Sequence, residues 1–149
     1  MQRFERVVQQ ILEQDRAVID GFFPDQILSP LYDRLAALND EDALRPAAIG
    51  AAGLWPPPDE VGTDFGVHDG LAPENEAERA FLIEIQGLSD YLNRTCFTGI
   101  RRKEFMYAIY PPGAHYERHV DNFQNKNARK FSVVTYLNRD WEPGRGGKL

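Results

Sequence analysis

The sequence predicts an α+β protein in which helices, coming first along the chain, pack on one side of an antiparallel sheet or barrel. Three observations carry this. Apolar residues recur at three- and four-residue spacings near the N-terminus and again after residue 74. Beyond Cys96 the period drops to two, in segments rich in Val, Thr and aromatic residues. Strands and helices do not alternate, and neither Gly-x-Gly-x-x-Gly nor Gly-x-x-x-x-Gly-Lys-Ser/Thr occurs, which argues against a doubly wound nucleotide fold.

Taken in order, Phe4, Val7, Val8, Ile11 and Leu12 form one apolar stripe on a helix over 4–14. Ala17-Val18-Ile19 is short enough for an edge strand, and Gly21 marks a turn. Ser29 before Pro30 fits an N-cap with proline at the first helical position, a start near Asp25 being the alternative. Leu31, Leu35 and Leu38 supply that helix's buried face up to Asn39. From Leu44 to Pro73 periodicity fails amid prolines and glycines. A long structured loop is expected there, anchored by Trp55, Val61, Phe65 and Val67. Glu74 opens a helix to about Asn93, with Ala77, Ala80, Phe81, Glu84, Leu88 and Tyr91 inward and Ile85 and Leu92 flanking them. Strands are expected at Phe105–Tyr110, Tyr116–Val120 and Phe131–Leu137, with a polar loop at Asn122–Ala128, a turn-rich loop at Asn138–Gly147 and a strand beginning at Lys148-Leu149.

A chain of 149 residues is the size of one domain, able to bury roughly 70% of its unfolded surface without a disulfide or structural metal. Residues 1–95 read as helical support plus the long loop, and 96–149 as the first core strands. Seventeen Lys and Arg against twenty-three Asp and Glu give a net charge of −6, which argues against wrapping nucleic acid or lying on an anionic membrane. Arg101-Arg102-Lys103 is a local exception. Cys96 is the only cysteine, so no intrachain disulfide can form. With no apolar leader and no run of eighteen apolar residues, a cytoplasmic protein is expected. No feature fixes the oligomeric state.

The candidate chemistry lies in Tyr116-Glu117-Arg118-His119-Val120-Asp121-Asn122. Residues two apart on a strand face the same way, so His119 and Asp121 can direct an imidazole nitrogen and a carboxylate oxygen to one point. Such a pair is two-thirds of the His/carboxylate facial set that binds non-haem iron while leaving positions open for substrate and dioxygen. His-x-Asp by itself equally describes a hydrogen-bonded histidine beside a surface carboxylate. Cys96 has no partner near it in sequence for nucleophilic catalysis and reads as a small apolar residue.

The wider context is more specific. Tyr107-Ala108-Ile109-Tyr110-Pro111-Pro112-Gly113 precedes the His-x-Asp segment. Thr135-Tyr136-Leu137-Asn138, Asp140-Trp141 and Gly146-Gly147-Lys148-Leu149 follow it. In this order and spacing the chain resembles the prolyl 4-hydroxylase branch of the iron(II)- and 2-oxoglutarate-dependent dioxygenases, densely over about its last forty-five residues and only in layout before them. The resemblance implies a double-stranded β-helix, a distorted jelly-roll, with the N-terminal helices outside it. It implies iron(II) and 2-oxoglutarate as cofactors, ascorbate as reductant, dioxygen as co-substrate and a proline-containing protein or peptide as substrate.

By the same resemblance His119 and Asp121 are the first two iron ligands. Tyr110 lies near the metal-chelating end of 2-oxoglutarate, Tyr136 helps hold its distal carboxylate, and Tyr116 is a pocket aromatic between cosubstrate and substrate. Arg129 takes the place of a basic residue near the substrate entrance, and Leu149 faces the pocket. The family's distal iron-binding histidine and cosubstrate-binding arginine would follow Leu149, so the 149 residues read as part of a longer, active protein and are expected by themselves to bind iron(II) weakly and turn over little. Three other readings compete: an oxygenase of the same fold acting on a small molecule or another residue, an inactive scaffold, and a zinc hydrolase built on His115, His119 and Asp121.

Overall fold

The computed structural model describes residues 2–41, 44–46, 66–69, 73, 75–114, 130–145 and 147, with 45–46 and 66–69 described by their backbone alone. In chain order the elements are α1 (Gln2–Gln14), α2 (Asp25–Asp40), β1 (Arg45–Pro46), β2 (Gly66–Asp69), α3 (Glu76–Cys96) and β3 (Met106–Ile109). They fall into two compact units, one of residues Met1–Tyr32 with Ala72–Lys103, the other of Asp33–Leu71 with Glu104–Leu149.

The first unit is built on α1 and α3. Val7 of α1 is buried with Leu88 and Leu92 of α3, and Phe4, Val8, Ile11, Ala17, Ile19, Phe22 and Ile100 pack around them. Leu12, expected in the same stripe, is 81% exposed. At roughly 100° per residue it lies about a right angle from the centre of the Phe4, Val7, Val8 and Ile11 arc, so it reaches solvent instead of α3. Aromatic rings extend the core: Phe4 meets Tyr91 at 5.6 Å, and Phe23 meets both Phe22 and Phe81 at 4.8 Å between centroids. Arg3 ties these parts together, donating to the Phe22 carbonyl at 3.0 Å and pairing with the Glu84 carboxylate.

Four sequence expectations are revised in the helices and the segment beside them, one of them to the alternative already stated. Ala17-Val18-Ile19 keeps a strand-like alternation, with Ala17 and Ile19 packed inward and Val18 exposed, but it joins no sheet. The Val18 N–H goes to the Gln10 side-chain oxygen at 2.7 Å, which satisfies the donor that a ladder would have used. The second helix starts at Asp25 and runs through Pro30. The proline forgoes the bond that an N–H there would make to the Gln26 carbonyl, and the helix continues despite that loss. The inner face of α3 is centred on Phe81, Ile85, Leu88 and Leu92, so Ile85 and Leu92 are core residues and not flanking ones. Asn75 caps that helix, its side-chain oxygen accepting the Glu78 N–H at 2.8 Å, which moves the start from Glu74 to Glu76.

The second unit contains an antiparallel sheet in the order β1-β2-β3. Arg45 pairs with Val67, and β2 pairs with β3 so that His68 lies opposite Tyr107 and Gly66 opposite Ile109. Two of its three strands therefore come from the 44–73 stretch read as loop, before α3 and not after residue 96. Pairing made them strands: two and four residues are too few for a local period to show. No helix of the described residues is long and apolar enough to cross a membrane.

Candidate active site

The described part of the site is built from β3 and from the segment that follows residue 130. Along β3, Tyr107 is buried while its neighbour Met106 is 59% exposed, and Ala108 and Ile109 are half-buried. Tyr110 leaves the strand half exposed. The turn behind it is closed by the Ala114 N–H donating to the Pro111 carbonyl at 2.9 Å, with Gly113 at φ +89°. Proline followed by glycine at positive φ is the pattern of a type II turn, which explains why the strand ends here.

Residues 131–137, expected as a strand, carry no ladder among the described residues. Phe131, Val133, Val134 and Tyr136 are exposed, and only Thr135 and Leu137 are half-buried. β propensity describes a side chain's fit to a pleated surface that other strands must supply, so it cannot make a strand without a partner. The turn-rich reading of 138–147 holds, with Asp140 at φ +54° and Gly144 at φ +99°. The Arg145 N–H bonds the Glu142 carbonyl at 3.1 Å, and Arg139 pairs with Asp33 at 2.9 Å.

Within this segment Tyr136 is fixed by its hydroxyl, which donates to the Gly147 carbonyl at 2.7 Å. Gly147 stands at φ +77°, and a Cβ on it would meet Tyr136 Cε1 at 3.3 Å and Trp141 Nε1 at 3.8 Å. Both conformation and space therefore favour glycine. Gly147→Ala is expected to cost about 1–2 kcal/mol through its backbone alone and to separate Tyr136 from residue 147. A shift of the Trp141 indole N–H resonance with a lowered Tm is the readout, and an unchanged spectrum would contradict it.

His119, Asp121, Tyr116 and Arg129, together with His115 and the loop at Asn122–Ala128, lie outside the described residues. Among the described residues no three His, Cys, Asp or Glu side chains gather to hold a metal. The segment that contains these positions is nevertheless recognisable: residues 105–149 match the 2OG-Fe(II) oxygenase superfamily.

The fold likeness extends well beyond that matched segment. The crystal structure of a Pseudomonas putida prolyl-4-hydroxylase superposes with a TM-score of 0.75 at 23% identity, over 94% of this chain and 71% of that one. At that identity the likeness establishes the fold. No curated protein matches the chain. What sequence reasoning missed is β2: it places His68, which had no assigned role, in register with Tyr107 on the strand that opens the matched segment. The only local signal was Val67 set between Gly66 and His68, too short to separate from loop.

Proposed function

We propose that the protein is an iron(II)- and 2-oxoglutarate-dependent dioxygenase that hydroxylates an unactivated C–H bond, with a peptidyl proline of a protein as its substrate. The observation that carries this is the oxygenase match of residues 105–149, which include His119-x-Asp121. The fold likeness to a prolyl-4-hydroxylase supports the proline assignment. In this reading the antiparallel strands β1–β3 belong to a double-stranded β-helix.

The donor set suits the metal. A neutral imidazole and a carboxylate two residues apart can hold iron(II) on one side while leaving positions open on the other. His119 and Asp121 would hold it, and Val120, of opposite parity, would turn away. Iron bound with 2-oxoglutarate would supply activation of dioxygen, the oxidant, one of whose oxygen atoms goes to succinate as carbon dioxide is lost and the other to the hydroxylated product.

The chain's own residues then serve to position. Tyr110, leaving β3 half exposed, would stand beside the chelating end of the cosubstrate. Tyr136 would hold the distal carboxylate. Its hydroxyl has one proton to give and donates it to the Gly147 carbonyl. Cosubstrate binding would therefore exchange a neutral acceptor for an anionic one, which makes the stronger, charge-assisted bond. Tyr116 would line the pocket towards the substrate and Arg129 its entrance. None of these groups need act as acid or base.

The test uses the protein that carries residues 1–149, with iron(II), 2-oxoglutarate and ascorbate. Succinate release is measured with a proline-containing peptide and with the same peptide carrying alanine for proline. Release stimulated by the proline peptide, with a matching gain of 16 Da on it, is the expected result. Equal release with both peptides would overturn the proline assignment, and release without 2-oxoglutarate dependence would overturn the oxygenase reading.

A further inference from the structure

A feature of the first unit plays no part in the proposed chemistry. Helix α3 closes at Phe97, whose backbone is left-handed, with φ 53° and ψ 36°. Glycine or asparagine ordinarily occupies that position, because a side chain there meets the backbone. A large residue usually tolerates the strain when its ring packs inside. Phe97 is 87% exposed. The strain therefore brings no internal contact, the situation in which a backbone outlier points to function.

The loop beyond it is firmly held. The Asn93 side chain donates to the Ile100 carbonyl at 2.9 Å, and its oxygen accepts from the Thr98 hydroxyl at 2.8 Å and the Ile100 N–H at 2.7 Å. Ile100 packs against the cluster of Val7, Leu88 and Leu92. With residues 98–100 pinned on both counts, Phe97 is presented outward from a stable base.

The sequence on either side of it is basic. Arg94, Arg101, Arg102 and Lys103 are all exposed. Arg94 lies 5.9 Å over the Tyr91 ring and Lys103 donates to the Gln86 side chain, while no carboxylate among the described residues pairs with any of the four. This is a concentration of uncompensated cations in a chain of net charge −6.

We propose that the segment 94–103 is a docking surface for an acidic segment of a partner protein, with Phe97 as the apolar anchor and Arg94, Arg101 and Arg102 as the carboxylate contacts. An exposed aromatic ring beside arginines is the combination that dominates binding energy at protein interfaces. The guanidinium fork matches a carboxylate in two bonds. The overall negative charge opposes a long polyanion such as nucleic acid, or an anionic bilayer, more than a short acidic peptide that touches this patch alone. Pre-ordering by Asn93 lowers the entropy lost on binding.

The test is fluorescence anisotropy of a labelled Glu- and Asp-rich peptide carrying one leucine, titrated with the full chain. Phe97→Gly and the double reversal Arg101→Glu/Arg102→Glu are each expected to weaken binding about tenfold or more, as loss of an anchor does. Phe97→Gly should at the same time raise Tm by about 2–4 °C, because glycine relieves the left-handed strain. The charge reversal should leave Tm unchanged and flatten the salt dependence. Absence of peptide binding to the unaltered chain, equal binding by either variant, or a Tm lowered by Phe97→Gly would each overturn the proposal. So would tighter binding to a single-stranded oligonucleotide or to phosphatidylserine vesicles than to the peptide.

Discussion

Replacing His119 or Asp121 by alanine is expected to lower the affinity for a divalent metal by more than roughly 100-fold, since even partners that merely orient a metal ligand change affinity by about 10–100-fold. The two residues are the only His-x-Asp pair in the chain and lie inside the oxygenase-matched segment. Calorimetric titration with iron(II) under anaerobic conditions reads the loss. Val120→Ala should leave the affinity within a few-fold of the unaltered protein, because on the proposed strand its parity would be opposite to that of His119 and Asp121. His115→Ala separates the oxygenase reading from the zinc-hydrolase alternative: the first expects little change in metal affinity, the second a loss as large as that of His119→Ala. An unaltered affinity in both His119→Ala and Asp121→Ala would remove the proposed centre altogether.

The second large effect concerns folding. Leu92→Ala is expected to cost about 2–5 kcal/mol, the range for truncating a buried leucine to leave a cavity. Leu92 is only 6% exposed and forms the heart of the helical core with Val7 and Leu88. Against a typical total stability of about 5–15 kcal/mol this is a large share. In urea it should move the unfolding midpoint down by on the order of 1–2 M, taking a denaturant slope of about 1–3 kcal/mol/M. Leu12→Ala is the control. That leucine belongs to the same local pattern but is 81% exposed, so its removal should cost no more than about 0.5 kcal/mol. Equal midpoints for the two variants would contradict the packing of α1 on α3.

The contrast between these leucines shows what a local pattern can and cannot resolve. Spacing identified the α1 helix and its apolar stripe, because a helix imposes its period on neighbours in the chain. It could not place the stripe's edge, which is decided by where α3 lies. The same holds for α3 itself: its existence was legible, while the rotation that centres Ile85 and Leu92 in the core was not. The second helix shows a competition between local signals, Ser29-Pro30 suggesting a start that the chain overrides from Asp25.

For the site, the ordered motifs from Tyr107 to Leu149 were enough to carry the resemblance that the match of residues 105–149 repeats, because motif spacing is carried by the chain alone. Placement of the individual groups was a different matter. The commitment of the Tyr136 hydroxyl to Gly147 joins residues eleven apart through a left-handed glycine and was invisible beforehand.

By itself, the sequence determined the three helices and the turn after β3, and it motivates the proposal that His119 and Asp121 bind iron; the expected order of helices first and strands second fails at β1 and β2, which precede α3. Tertiary structure alone decided which extended segments became strands. Gly66–Asp69, with little local signal, entered the sheet because β1 and β3 flank it, whereas Phe131–Leu137, rich in strand-forming residues, shows no ladder among the described residues. Helical hydrogen bonds close four residues along the same chain, so nearby residues can specify them. A strand's bonds close on a distant segment, so its fate depends on whether that segment arrives.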